Sequence, residues 1–485
     1  MRWQSEEMER KDHKASYTGM ERARRRNFGS HLTPVDIFED YIYPNISDRL
    51  FDYAWTDNFC GEGNLILPML EHVDEDHRIQ FFKDHLFLSD VSEDAVTKSR
   101  EKASGYGIPT DIVEKNISVN DGLQAFPKLK TKFRIFHITN PPYLYLGYIA
   151  KTADVRQYLR YFTGSATRLQ DLYQIALLRD FEKGLDKMVY IIPSNFLFGN
   201  SVSNQIRKLL FSKYRLEKAT VIEKRVFRFT GTNVVICFFT KASGNEQMFT
   251  IPVTTVAGSV THSNITLERR NNYRAGLFFD DLISSLPKND LKFRFYLSER
   301  DLLASPGAFK TTVVDVSRFS NRRYAIREYM INRDTMSMIR RNVLFLRTLD
   351  SGSKEGRCGL YNIREHFNAD AIVVSGKRYR THPIQIVFDD LTAEEQEYLR
   401  IYFNKTLEYM RSRSNSEFLT TYKYSSSNYT RKYLGLNQAK SIIRTYPIFP
   451  EDEKNSAFHE TIALAESSEM EKLFRERKLQ TMKFP

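Results

Sequence analysis

Between residues 35 and 242 the chain alternates short apolar runs with longer helix-like stretches. Runs at 51–55, 86–88, 134–139, 188–192 and 233–239 read as strands, and segments such as 92–104 read as helices. Alternation of this kind implies a mostly parallel sheet covered on both faces, with ligands at the carboxyl ends of its strands. Near Ser243-Gly244-Asn245 the texture changes. Residues 246–290 are rich in Thr, Val and Asn, are more β-like, and carry the basic pair Arg269-Arg270. Beyond 300, basic and aromatic residues interleave: Arg318, Arg322, Arg323, Tyr324 and Arg327, then Lys377-Arg378-Tyr379-Arg380. The tail, 455–480, alternates Glu with Lys/Arg around Ile462, Leu464, Met470, Leu473 and Phe474, the pattern of an amphipathic packing helix. The pattern divides the chain into a basic extension (1–30), a doubly wound α/β unit (31–244), a mixed α+β unit (245–450) and a C-terminal helix (451–485).

Polar residues at the predicted strand ends carry the candidate chemistry. Asn140-Pro141-Pro142-Tyr143 follows the run Phe133-Arg134-Ile135-Phe136-His137-Ile138-Thr139. Each proline fixes its own φ, lacks an N–H, and biases the preceding residue towards extended geometry. The Asn140 side-chain oxygen and the Pro141 carbonyl can then both accept hydrogen bonds from one NH2 group. Tyr143 offers a flat face for a planar ring. Taken alone, a Pro-Pro after a strand is an ordinary turn.

Upstream, Asp57 precedes Phe59-Cys60-Gly61-Glu62-Gly63-Asn64, a glycine loop between a predicted strand and a predicted helix. Glycines there let backbone approach a ligand closely. The loop lacks the Lys-Ser/Thr ending of a phosphate loop and the three-glycine dinucleotide spacing. One strand-helix unit later, Asp90 ends the run Leu86-Phe87-Leu88-Ser89, where a doubly wound fold binds ribose hydroxyls. Asn120-Asp121-Gly122 follows another short apolar run and is placed to contact an adenine amine. Each acid alone reads equally as a helix cap or turn former.

At these residues the chain resembles the gamma class of S-adenosylmethionine-dependent amino-methyltransferases acting on DNA. Matching runs cover residues 25–242 in the gamma-class order. Gly29-Ser30-His31-Leu32-Thr33-Pro34 is similar to the leading motif, which implies Thr33 at the cofactor carboxylate. Asp57 through Asn64 resembles the cofactor loop, with Asp57 near the methionine amino group and Phe59, Gly61 and Gly63 in the cofactor site; Asn58 stands where proline is more usual. Asp90 matches the ribose-binding acid, Asp121 the residue at the cofactor adenine, and Asn140 to Tyr143 the catalytic motif in its adenine-type form. Asp171-Leu172-Tyr173-Gln174-Ile175-Ala176-Leu177-Leu178 and Lys187 through Leu197 resemble the following helix and strand motifs. Arg225-Val226-Phe227 and Thr232 through Phe239 resemble the last strand pair, where the family sets an aromatic, here Phe227, against the target base.

The resemblance implies a Rossmann-like doubly wound methyltransferase sheet followed by a mixed α+β target-recognition domain. It implies S-adenosyl-L-methionine as cofactor, double-stranded DNA as partner, and N6 of a flipped-out adenine as substrate, stacked by Tyr143 and Phe227. A restriction-modification system with a separately encoded endonuclease is the expected setting, and the enzyme is expected to act as a monomer. Cytosine-N4 methylation and RNA adenine or guanine methylation remain open alternatives, because the same catalytic ledge accepts those amines.

Charge and composition agree with a polyanionic partner. The formal net charge is +12 over 485 residues. The richest basic stretch runs from Met410 to Tyr433, with Arg411, Arg413, Lys423, Arg431 and Lys432 as candidate DNA contacts and a single acid, Glu417. A solvated basic loop is the alternative. Three widely spaced cysteines, Cys60, Cys237 and Cys358, form neither a disulfide framework nor a metal-ligand pattern, so no metal is expected. The polar start and the absence of a membrane-length apolar run lead to the expectation of a cytoplasmic protein.

Overall fold

The structure, a computed structural model, describes residues 32–199, 202–223, 226, 233–242, 246–257, 259–321, 323–349, 357–376, 383–414, 419–420, 432–449 and 452–482. The chain divides into two compact units, Met1–Ala275 with Thr420–Thr430, and Gly276–Leu419 with Arg431–Pro485.

The first unit is built on one nine-stranded sheet. Its strands are β1 (Tyr53–Asp57), β2 (Leu86–Asp90), β3 (Ile117–Val119), β4 (Arg134–Thr139), β5 (Lys187–Pro193), β6 (Tyr214–Ile222), β7 (Val234–Lys241), β8 (Met248–Val256) and β9 (Val260–Glu268). Their spatial order is β3-β2-β1-β4-β5-β7-β6-β8-β9. Neighbours from β3 through β5 pair in parallel, with Trp55 opposite both Leu86 and Phe136. β7 runs antiparallel to both β5 and β6.

Parallel strands buried on both faces need unbroken apolar runs. Accordingly every residue of β1 is buried, and so is β5 beyond Lys187. Helices Glu75–His85, Glu93–Gly105 and Leu172–Lys183 form crossovers between these strands. Ser92 caps the second of them, its side chain accepting from Ala95 N–H, and left-handed Gly184 ends the third. Strand order reverses between β1 and β4, and this is where a doubly wound sheet opens a crevice at its carboxyl edge.

The expected doubly wound sheet is present, and it is longer than the hydrophobic pattern suggests. β8 pairs in parallel with β6, and β9 pairs with β8, so residues 248–268 extend this sheet past the expected boundary at 244/245. β9 is exposed along most of its length, as an edge strand is, and this hides its membership from a search for apolar runs.

The second unit is mixed α+β. Its strands are β10 (Phe293–Phe295), β11 (Leu297–Ser298), β12 (Pro306–Ser320), β13 (Arg323–Ile331), β14 (Leu344–Arg347), β15 (Gly359–Asn362), β16 (Ala371–Val374) and β17 (Ile384–Phe388). They form two four-stranded sheets, β10-β17-β14-β15 and β11-β16-β12-β13. Helix Ala393–Ser414 contributes Leu399, Tyr402, Phe403 and Met410 to this unit's core. The tail folds as two helices, Asp452–Leu464 and Met470–Met482, whose Phe458, Ile462, Met470 and Phe474 lie in that same core. The tail is thus part of this unit and not a separate final helix. Among the described residues no helix is long and apolar enough to cross a membrane.

Candidate active site

Asp57 ends β1 and is buried. Thr139, the last residue of neighbouring β4, donates its hydroxyl to Asp57 Oδ1 at 2.6 Å, and the Phe59 N–H donates to the same oxygen at 3.0 Å. Burial pushes the Asp57 carboxyl up to about 6, against the opposing pull of the Thr139 hydroxyl and the Phe59 amide.

The glycine loop lies across the end of β2. The Gly61 N–H donates to Asp90 Oδ2 at 2.9 Å and the Cys60 N–H to the Ser89 carbonyl at 3.0 Å. Gly63 sits at φ +80°, and a Cβ there would come within 2.5 Å of Leu67 Cδ1, so the position is closed to other residues. Asp90 Oδ1 accepts from the Ser92 N–H at 2.9 Å. Burial raises the Asp90 carboxyl, while the Ser92, Gly61 and Val91 amides oppose it.

Asp121, beyond β3, is held by its own surroundings. Its Oδ2 accepts from the Tyr161 hydroxyl at 2.5 Å and from Arg160 at 3.3 Å, and its Oδ1 from the Leu123 N–H at 3.1 Å. At Gly122 the loop meets the glycine loop so closely that a Cβ would lie 2.9 Å from both the Asn58 carbonyl and the Phe59 ring. Asp57, Phe59, Gly61, Gly63, Asp90 and Asp121 therefore share the carboxyl edge of β1, β2 and β3.

Asn140 begins the turn after β4. Its Nδ2 donates to Thr33 Oγ1 at 2.9 Å, and the Thr33 carbonyl accepts from Asn64 Nδ2 at 2.8 Å. Buried Thr33 thus joins the leading motif to both Asn140 and the glycine loop. No hydrogen bond to the Pro141 carbonyl occurs among the described backbone groups outside helices and strands.

Tyr143 departs from the expectation of an open stacking face. It is 4 % exposed, its ring lies edge-on to Tyr173 at 6.5 Å, and its hydroxyl, with one proton to give, lies within hydrogen-bond reach of both the Ile191 carbonyl, at 2.6 Å, and Asn140 Oδ1. The cause is local. Asp171 Oδ1 accepts from the Leu144 N–H at 3.0 Å, and the Leu144 carbonyl accepts from the Leu172 N–H at 3.3 Å, which fastens the exit of the turn to the next helix. The exposed rings beside the turn are Tyr145 and Tyr148.

Asp171, His137, Thr139 and Tyr161 were not singled out as site residues in the sequence. For His137 and Thr139 the available signal was a polar residue inside an otherwise apolar strand. Phe227, Lys423 and Arg431 lie outside the described residues, and of Lys432 only its short strand, Lys432–Tyr433, is described. Arg411 and Arg413, expected to contact DNA, have partners within their own unit. Arg411 is ion-paired with Glu408 and donates to the Cys358 carbonyl at 3.2 Å; Arg413 is ion-paired with Glu471 and sits 5.8 Å from the Tyr409 ring centre. All three cysteines are buried thiols. Among the described residues no group of three or more His, Cys, Asp or Glu side chains is arranged to hold a metal.

Among solved structures the chain is similar to the type IIL restriction-modification enzyme MmeI in complex with DNA, with 13% identity over 90% of this chain and 71% of that one, at a TM-score of 0.47. It is similar to the type IIG restriction endonuclease BpuSI, with 11% identity over 90% of this chain and 61% of that one, at a TM-score of 0.42. It is also similar to a modification subunit assigned to a type I restriction enzyme of Vibrio vulnificus, with 17% identity over 52% of this chain and 51% of that one, at a TM-score of 0.37. The chain spans about half the length of that subunit. No curated protein sequence matches the chain. Residues 70–227, the segment that carries Asp90, Asp121 and Asn140 to Tyr143, match the family model described as Eco57I restriction-modification methylase.

Proposed function

We propose that this chain is a site-specific DNA methyltransferase that uses S-adenosylmethionine to methylate N6 of an adenine rotated out of the duplex. The observation that carries the reading is the position of Asn140 and Pro141 at the end of β4, beside buried Asp57 on β1 and next along from Asp90 on β2. The donor set fits the cofactor chemically. The Asp57 carboxylate suits the methionine ammonium, Asp90 suits the ribose hydroxyls, and Asp121 lies beside the glycine loop through Gly122, where the resemblance sets the adenine.

When bound, the cofactor supplies an electrophilic methyl group on sulfonium sulfur. This chain's residues supply position. Asn140 Oδ1 and the Pro141 carbonyl are two acceptors for the two hydrogens of one exocyclic amine. Hydrogen bonds to both would favour pyramidal nitrogen and free the lone pair that the ring otherwise delocalises. Methyl transfer to that nitrogen would leave it with an extra N–H proton, which would pass to water, because an asparagine amide does not act as a base. Positioning and fixed dipoles account for most of the acceleration.

Rotating the base out costs a few kcal/mol. Stacking returns roughly 1–3 kcal/mol per base, a role we assign to Phe227 and to Tyr143 once its ring leaves the interior. The second unit is the target-recognition domain in this reading, with Arg431 and Lys432 among its DNA contacts, and Lys423, in the stretch that belongs to the first unit, is a further DNA contact. The enzyme acts as a monomer beside a separately encoded endonuclease. The match of residues 70–227 and the net charge of +12 support the reading.

The test is nucleoside mass spectrometry of unmethylated duplex DNA incubated with the protein and S-adenosylmethionine. N6-methyladenine is the expected product. N4-methylcytosine would change the base and keep the chemistry, whereas labelled structured RNA with unmodified DNA would overturn the proposal.

A further inference from the structure

Three strands' worth of apolar core enclose a polar chain that the proposed chemistry does not use. His137 lies on β4, opposite Thr56 of β1, and is fully buried. Its Nε2 is 3.2 Å from the backbone nitrogen of Asn58, the residue that opens the glycine loop. Its Nδ1 is 2.5 Å from Asp180 Oδ2, on helix Leu172–Lys183, and that oxygen also accepts from the Tyr190 hydroxyl of β5 at 2.6 Å. Asp180 is 1 % exposed, and Asn58 is 2 % exposed.

The direction of each bond follows from one fact. A backbone N–H only donates, so His137 Nε2 must accept and carries no proton. The ring proton is then on Nδ1, where it donates to Asp180. Asp180 sets the tautomer, the tautomer presents a lone pair to Asn58, and the lone pair fixes the first amide of the loop. A buried N–H at 58 without this acceptor would have no partner within reach of water. Asn58 also abuts the next ligand-facing segment, since its carbonyl is one of the atoms that exclude a Cβ at Gly122.

Resting on the methyltransferase reading, we propose that His137, oriented by Asp180 and Tyr190, is a positioning residue that holds residues 58–63 in the shape that receives the methyl donor. It touches neither the donor nor the base. Its effect is carried by the Asn58 amide, so it governs donor affinity and loop order and leaves DNA binding alone.

The test uses the full chain with two substitutions. His137→Phe keeps a ring against Phe126 and Tyr190, whose centroids lie 5.8 and 5.7 Å away, but removes the acceptor. His137→Gln places an amide oxygen near the position of Nε2. Calorimetric titration with S-adenosylmethionine should show about tenfold weaker binding for His137→Phe and near-normal binding for His137→Gln, one lost hydrogen bond being of that size. Amide hydrogen exchange over residues 58–63, measured without any ligand, should accelerate in the first variant and not in the second. Equal donor affinity and equal exchange in His137→Phe and wild type would overturn the proposal, and so would a glutamine variant as impaired as the phenylalanine one. Failure of the wild type to bind S-adenosylmethionine would overturn the proposed function instead, and the ligand-free exchange pattern would still decide the role of His137.

Discussion

The Tyr143 hydroxyl lies against Asn140 Oδ1, the oxygen that an incoming exocyclic amine would need in the proposed reading, and its one proton is shared between that oxygen and the Ile191 carbonyl. Asn140 Nδ2 is meanwhile engaged with Thr33 Oγ1. The amide is therefore correctly oriented, while its acceptor is capped from within its own motif. In the proposed reading, binding a target amine requires the Tyr143 hydroxyl to withdraw from Asn140 Oδ1, and leaving the interior would take it away from the Ile191 carbonyl as well. Tyr143→Phe separates these effects. It removes the hydroxyl that Asn140 Oδ1 and the Ile191 carbonyl share, so thermal unfolding should report a loss of about 1–3 kcal/mol. Methylation initial rates should stay within about tenfold of wild type, the size of one modest hydrogen bond. A variant as inactive as one lacking Asn140 would mean that the hydroxyl acts in the transition state and is no mere cap.

In the proposed reading, Asn140→Ala removes an acceptor aimed at charge that develops on the target nitrogen, and it leaves the Asp57 and Asp90 ends of the crevice untouched. Turnover should fall by about 10²–10³-fold or more. Calorimetry with S-adenosylmethionine should give near-normal affinity. Retained turnover would remove Asn140 from the mechanism.

Much of this site can be read in the sequence because its residues fall at the ends of apolar runs. Asp57 and Asp90 each close a strand of the parallel sheet and Asn140 directly follows one, and strand ends are where the pattern breaks from apolar to polar. What the pattern hides is direction. Tyr143 looks like a free aromatic, yet the bond from the Leu144 amide to Asp171 helps turn its ring inward, a contact between residues 27 positions apart. His137 sits within an apolar run, and nothing local reveals that its partners are Asn58 and Asp180. Likewise the charge of Arg411 suggests DNA, while its neighbour one helical turn back, Glu408, neutralises it. β9 escapes notice because an edge strand exposed to solvent shows no hydrophobic period.

The Asp57 carboxyl makes donor binding depend on pH in the proposed reading. Burial holds it at about 6 in the free protein, so below that value it is mostly protonated and offers no charge to an ammonium. Affinity for S-adenosylmethionine should rise by up to about tenfold per pH unit below 6 and level off above 7. Asp57→Asn should abolish the rise and bind weakly throughout. Titrations at pH 5, 6, 7 and 7.5 decide the matter; a flat wild-type profile would separate Asp57 from the donor.

Asp171 gives a prediction about stability alone. It is fully buried, Oδ1 serves the Leu144 amide, and Oδ2 has no hydrogen-bond partner among the described residues. Burial pushes its carboxyl up to about 7, with the Leu144, Tyr173 and Leu172 amides opposing. The folded protein therefore binds this proton more tightly than the unfolded chain, whose carboxyl has the ordinary value of 3.8. The folded state gains most below pH 3.8, and that gain is lost progressively as pH rises towards and through 7. Asp171→Asn keeps an oxygen for Leu144 and removes the ionisation. Relative to wild type it should be more stable at pH 8, by an amount on the order of 1–3 kcal/mol, and the advantage should shrink steadily towards pH 5. Paired chemical denaturation curves at pH 5, 6.5 and 8 measure this directly. A difference independent of pH would show that Asp171 is already ionised in the folded protein throughout this range, so that burial does not raise its carboxyl and its role is confined to fastening Leu144.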